Sequence, residues 1–152
     1  MVWVSKMDYY MEEAIKEAQK AFMLDETPIG AVITLDDKII ARGHNRRNTE
    51  KNTLAHAEII AIHEACKVIG DWRLEQCSIY ITLEPCPMCA GAIVQSRIAR
   101  VIYGASSPKS GFGGSLFNIL EMDSLNHKCE VVRGVRELEC KTLMQEYFKL
   151  RR

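Results

Sequence analysis

The stretch SIYITLEPCPMCAGAIVQS, residues 78–96, holds the pattern on which the architecture turns. Ser78 to Thr82 is a short β-rich run, Leu83-Glu84-Pro85 leads out of it, and Pro87 to Ser96 reads as a buried helix of small and apolar residues. Ala99 to Gly104 is again strand-like. Strand, helix, strand in that order favours parallel pairing through a crossover, so the chain is expected to build an α/β layer around a mixed sheet.

Working outward, Ala55 to Ile69 carries Ile59, Ile62 and Cys66 at helical spacing and meets a stop at Gly70. A polar loop, Gly43 to Thr53, precedes it. Ala31 to Leu35 and Lys38 to Ala41, joined by Asp36-Asp37, read as a hairpin behind Pro28 and Gly30. Asp8 is placed to cap an opening helix with Met11, Ile15, Ala18 and Phe22 on its apolar face. Downstream, Ser106 to Ser115 is a Gly- and Ser-rich loop and Leu116 to Leu120 a short helical turn. Glu130 to Arg133 then reads as a last strand, and Glu137 to Leu150 as a closing helix. No repeat interrupts the 152 residues, a length that suits one core, so 1–152 is expected to be a single domain.

The chain is 47% hydrophobic and 26% charged, which excludes a disordered chain, and its 20 basic and 20 acidic residues cancel. Any affinity for nucleic acid must therefore come from local clusters. No stretch approaches the roughly 20 apolar residues of a membrane span, and Met1 to Lys6 lacks a signal-peptide core. No membrane partner and a cytoplasmic location are the expectation. Of six cysteines, Cys86 and Cys89 alone stand at ligand spacing, while Cys66, Cys77, Cys129 and Cys140 lie scattered among apolar neighbours as buried free thiols do.

Cysteines three apart at a helix start fall on one face and can hold one metal ion. Pro87 suits a first helical position, and with Cys86 as the cap, free N–H groups and the helix dipole favour thiolates. His56 is the one histidine with a glutamate two residues on, in Ala55-His56-Ala57-Glu58. Residues two apart on a regular helix point about 200° from each other, so both serve one site only where the helix begins. One imidazole and two thiolates leave a fourth tetrahedral position for water, as catalytic zinc requires, with Glu58 as the proton carrier. Taken alone, a CxxC is equally a redox pair and an HxE a solvated helix turn.

The His-x-Glu and Pro-Cys-x-x-Cys signature marks base deaminases. Further matches run through Pro28 to Val32, Gly43-His44-Asn45, Ser96-Arg97-Ile98, Gly104-Ala105, Gly114-Ser115-Leu116 and Leu125-Asn126-His127. On these residues the chain resembles the bacterial tRNA-specific adenosine deaminases of the cytidine deaminase superfamily. The resemblance implies a three-layer α/β/α cytidine-deaminase-like fold with a central mixed five-stranded sheet. It implies one Zn2+ per chain on His56, Cys86 and Cys89, with Glu58 shuttling protons as adenosine at the wobble position of a tRNA anticodon becomes inosine. A tRNA anticodon stem-loop is then the partner and a homodimer the assembly.

Asn45 matches a base-contacting asparagine, Pro28 and Ile29 an apolar pocket wall, and Asn126 and His127 a substrate loop. Phe112, Tyr147 and Phe148 are candidates for packing or stacking, and Arg46, Lys109, Lys149, Arg151 and Arg152 for phosphate. A deaminase of free guanine or cytosine is the alternative, because it would share the zinc core. A zinc-stabilised RNA-binding module without catalysis would need a fourth protein ligand, and none is apparent.

Ser107 departs from the family, which often carries an aspartate there near the target ribose. A charged acceptor binds a 2′-hydroxyl more strongly than serine does. Ser107→Asp is therefore expected to raise the ratio of RNA to DNA rates in single-turnover deamination of matched stem-loops. An unchanged ratio would show that the loop does not approach the ribose or that serine already makes an equivalent contact.

Overall fold

The computed structural model describes residues 2–151 and the side chains of residues 6–151. Its elements follow in the order α1 (Val2–Met23), β1 (Gly30–Leu35), β2 (Lys38–His44), α2 (Ala57–Ile69), β3 (Ser78–Leu83), α3 (Pro87–Gln95), β4 (Arg100–Ala105), β5 (Glu130–Arg133) and α4 (Glu137–Lys149). The strands form one five-stranded sheet in the order β2-β1-β3-β4-β5. β1 pairs antiparallel with both β2 and β3, whereas β3, β4 and β5 run parallel. The sheet is thus mixed, with the crossover through α3 giving the expected parallel pair.

Alternation of side chains along the strands divides the core into two layers. Ala31, Ile33, Ile79, Ile81, Val101 and Tyr103 face Ala57, Ala61 and Ala65 of α2 with Ala90, Ile93 and Val94 of α3. Val32, Tyr80 and Ile102, on the other face, pack with Tyr10, Met11, Ala14 and Ile15 of α1 and Cys140 of α4. A pair of helices on each side makes the three-layer α/β/α arrangement. Ile93 and Val94 are core residues, while Gly91 and Ala92 of the same run stay half-exposed.

Two glycines let the hairpin slip between α1 and α2. A methyl group on Gly30 would stand 2.1 Å from the Ala14 carbonyl oxygen, and one on Gly43 would stand 2.3 Å from that of Ala57. The contact at Gly43 brings the first turn of α2 down onto β2, and with it His56.

Two expectations are corrected. Asp8 does not cap α1, which starts at Val2: no Gly or Pro breaks residues 2–8, and Met7 already packs against the core. Asp8 is an exposed mid-helix residue paired with Arg136 at 3.5 Å. Nor do Leu116 to Leu120 form a helical turn. Gly113 bridges Asn118, the Gly114 amide donates to the Phe117 carbonyl at 2.9 Å, and buried Leu120 anchors the loop in the core. Of the scattered cysteines, Cys77, Cys129 and Cys140 are buried and Cys66 is half-buried, all as free thiols.

Between α1 and β2 lies a charge network centred on two buried glutamates. Glu17 meets Lys20 at 2.8 Å, His44 at 3.2 Å and Arg42 at 3.4 Å, and Arg42 also pairs with Glu13 at 2.7 Å. Burial alone would raise the Glu17 carboxyl, but its hydrogen bonds to His44, Lys20 and Arg42 outweigh this and hold it at about 2 against an ordinary 4.5. A depressed carboxyl contributes stability above the unfolded value and loses it as pH falls through the folded one. Denaturant titrations should therefore show up to about 3 kcal/mol lost between pH 4.5 and pH 2 at this residue. In Glu17→Gln that acid-side slope should be flattened and stability near neutrality lowered. An unchanged slope would assign acid sensitivity elsewhere.

Candidate active site

Both helices on one face of the sheet begin at the same place. His56 is the N-cap residue of α2, with φ −84° and ψ 153°, and Cys86 is that of α3, with φ −73° and ψ 175° and Pro87 following in the first turn. Cys89 lies one turn into α3. β3 ends at Leu83 and the chain turns through Glu84-Pro85, so the group sits beyond the carboxyl ends of the parallel strands, where open α/β sheets place their ligands.

The ligand atoms of His56, Cys86 and Cys89 all lie within 4.8 Å of one another, and they are the one such group among the described residues. A tetrahedral ion with sulfur at about 2.3 Å and nitrogen at about 2.0 Å sets these ligands about 3.6 Å apart. His56 Nδ1 stands 3.7 Å from Cys86 Sγ and 3.5 Å from Cys89 Sγ. The donor set and its spacing fit a metal ion with one position left open.

The charges fit as well. Hydrogen bonding from Cys89 is the largest influence on Cys86 and, with the His56 contact, overcomes burial to bring its thiol down to about 4. The same Cys86 contact raises His56. Cys89, hydrogen-bonded to that thiolate, buried, and beside Glu58, is pushed up. A metal ion held here would require both thiols in the deprotonated form. Glu58 is 4% exposed, and burial pushes its carboxyl up to about 7.

A pocket of about 920 Å³ opens over the group. His56, Glu58 and Cys86 line it, together with Ile29, Asn45, Ser107, Lys109, Phe148 and Lys149 from the sequence reading. Asn45 is buried and its amide donates to the Ile29 carbonyl at 3.1 Å, tying the loop after β2 to the start of β1. Ser107 Oγ pairs with Ser110 Oγ at 2.8 Å. Pro28 is buried beside Ile29 without lining the pocket.

Other candidates are placed elsewhere. Asn126 and His127 line a separate depression with Arg73, Arg97 and Lys128, and a His127 ring nitrogen meets the Ile98 carbonyl at 2.7 Å. That is the entry end of β4 and β5, whereas the pocket lies at the exit end of the parallel strands. The structure therefore does not bring the pair to this chain's own pocket. Tyr147 is a packing residue, with its ring 6.0 Å from Phe22 and 5.3 Å from Phe148, and Phe112 packs on the core and on Phe117. Arg46 pairs with Glu50 at 2.5 Å, and Arg151 pairs with Asp25 while lying over the Tyr147 ring. Arg152 lies outside the described residues.

The sequence reading missed Thr27, Arg47, Lys141, Met144 and Gln145 in the pocket wall. For α4 a signal existed, because Lys141, Met144, Gln145 and Phe148 recur at helical spacing and share one face. It also missed two buried carboxylates that hold the flanking loops. Glu26, fully buried, accepts from the Thr49 amide and hydroxyl at 2.5 and 2.7 Å and from the Asn48 amide at 3.2 Å. Glu84 does the same for the loop after β4.

A three-layer α/β/α fold with an open His-Cys-Cys group and a buried glutamate beside it defines a metal-dependent deaminase of nucleobases. The MafB19-like deaminase family matches residues 5–152. The tRNA-specific adenosine deaminase of Bacillus subtilis (strain 168) is 53% identical over 142 residues, 93% of this chain and 88% of that protein. A solved structure from work on A-to-I editing by tRNA:A34 deaminases superposes with a TM-score of 0.85 at 42% identity, covering 89% of this chain and 98% of that one. The structure of guanine deaminase from Bacillus subtilis is similar at TM-score 0.62 and 41% identity, over 64% of this chain and 63% of that one. The chain belongs to the tRNA-specific adenosine deaminases.

Metal analysis checks the geometry directly. One bound ion per chain is expected in the native protein and in Glu58→Gln, and loss of that stoichiometry in Cys89→Ala. Full metal content in Cys89→Ala would exclude this ligand set.

Proposed function

We propose that this protein, acting as one deaminase domain over residues 1–152, binds one zinc ion per chain on His56, Cys86 and Cys89. With it the enzyme hydrolyses adenosine to inosine at the wobble position of a tRNA anticodon. The observation that carries the reading is the juxtaposition of an open three-ligand metal group with a buried glutamate that lines the same pocket. Zinc suits two thiolates and an imidazole, and when bound it supplies Lewis acidity that lowers the pKa of a water toward ~7.

Glu58, which lines the pocket over the metal group, takes one proton from the attacking water and passes it to the purine ring nitrogen, then takes the second from the resulting hydroxyl and passes it to the amine, which leaves as ammonia. Asn45, buried and held by its main-chain bond to Ile29, offers an amide that donates to and accepts from a purine edge. Ile29 supplies apolar contact. Around the opening, Arg47, Lys109, Lys141 and Lys149 meet phosphates and exposed Phe148 offers a stacking face, so a neutral protein still presents a basic rim. Ser107 lies on the loop that would flank the ribose.

We further propose a homodimer in the cytoplasm. The half-exposed Gly91 and Ala92 on α3, the helix that carries Cys89, support close approach of a second copy. No helix among the described residues is long and apolar enough to cross a membrane.

Incubation of zinc-loaded protein with an anticodon stem-loop bearing wobble adenosine, beside free guanine, cytosine and adenosine, tests the substrate. Inosine in the RNA is expected; turnover of guanine or cytosine without RNA editing would move the protein to the free-base deaminases. Glu58→Gln should keep its zinc and lose about 100- to 10,000-fold in the single-turnover rate. A rate near that of the native protein would assign proton transfer to another group.

A further inference from the structure

Glu84 is an acid placed where a strand leaves the core, two residues before a metal ligand, and it is 2% exposed. It makes no ion pair with a basic side chain among the described contacts. Its carboxylate is filled by the loop that follows β4. Oε1 accepts from the Ser107 amide at 2.9 Å and from the Ser115 hydroxyl, and Oε2 accepts from the amides of Gly113 at 3.0 Å and Ser115 at 2.9 Å. Three main-chain N–H groups from separate points of the loop thus converge on one carboxylate, supplied by the chain's own side chain.

The loop is closed over that carboxylate with no room to spare. A methyl group on Gly111 would stand 2.3 Å from the Glu84 carboxyl carbon. The Phe112 amide donates to the Pro85 carbonyl at 2.9 Å, and the Glu84 amide to that of Ala105 at 2.8 Å. The segment so gripped begins with Ser107, Pro108, Lys109 and Ser110, which form one wall of the pocket. One side chain therefore links the turn that leads into the metal helix to the loop that lies against substrate.

We propose that Glu84 is a positioning residue for substrate recognition: by holding residues 107–115 in one conformation it sets how tightly the RNA is bound, while the metal group and Glu58 set the rate of the chemical step. The proposal rests on the reading of the substrate as RNA. Glutamine at this position turns one acceptor oxygen into a donor, so at least one main-chain N–H of the loop loses its partner. The wall then moves while the zinc ligands stay in place.

The test uses full-length, zinc-loaded protein and an anticodon stem-loop under single-turnover conditions. In Glu84→Gln, zinc should remain at one per chain, and the RNA concentration for half-maximal rate should rise at least tenfold. The maximal rate should fall by much less. Gly111→Ala, which pushes the loop off an intact carboxylate, should show the same signature, and Ser115→Ala, which removes one donor, a smaller rise. These two variants decide the matter should Glu84→Gln fail to fold.

Hydrogen exchange gives a readout that needs no substrate: the amides of Ser107, Gly113 and Ser115 should be protected in the native protein and exchange faster in Glu84→Gln, with α2 and α3 unchanged. Absence of RNA editing by the native protein would refute the functional reading and leave the loop measurement standing. A lowered maximal rate at unchanged half-saturation, or unchanged kinetics and exchange in all three variants, would overturn the proposal.

Discussion

Two helices that start at the same point are the constraint from which the rest follows. Residues at an N-cap carry non-helical backbone, so their side chains can turn inward over free N–H groups, and the partial positive charge of the helix end favours a thiolate. His56 caps α2, Cys86 caps α3, and Cys89 follows one turn later. For the two caps to meet, β3 must exit where α2 enters. That requires α2 to lie hard against β2 at Gly43 and the hairpin to lie hard against α1 at Gly30. Small residues on the buried helix faces, Ala57, Ala61, Ala65 and Ala90, let both helices sit close to the sheet.

The same constraint assigns different roles to chemically identical side chains. Glu17, Glu26, Glu58 and Glu84 are all nearly buried. Burial raises each of them, but Glu17, Glu26 and Glu84 are surrounded by donors that outweigh it and keep them charged. Glu58 faces sulfur and a pocket, and burial prevails. A carboxylate fully satisfied by hydrogen bonds holds structure, whereas one raised toward neutrality carries protons. Three glutamates fasten α1, the loop after β2 and the loop after β4, and the fourth is the one proposed to carry protons.

The architecture and the metal group were legible because both are encoded locally. The apolar, β-rich runs of β1, β3 and β4, the spacing of Cys86 and Cys89 and the HxE pair need no distant partner to be read. The start of α1 was not legible, because a capping aspartate at Asp8 and an uninterrupted helix through it look alike until the packing of Met7 is known. The segment from Leu116 to Leu120 was read as a short helical turn, yet the bridge between Gly113 and Asn118 and the burial of Leu120 shape it. Asn126 and His127 fell at the wrong end of the sheet for this chain's pocket because strand direction, a property of the whole topology, decides which loops meet. The grips of Glu26 and Glu84 span 22 to 31 residues of sequence and leave no periodic trace.

The central claim is an open, three-ligand metal site assembled by two helix caps, and the coordination shell of the bound ion tests it most directly. X-ray absorption at the zinc edge of the loaded protein should show two sulfur neighbours at about 2.3 Å and two nitrogen or oxygen neighbours at about 2.0 Å, one of them exchangeable with solvent. A shell of three or four sulfurs, or one closed by protein atoms alone, would contradict the account.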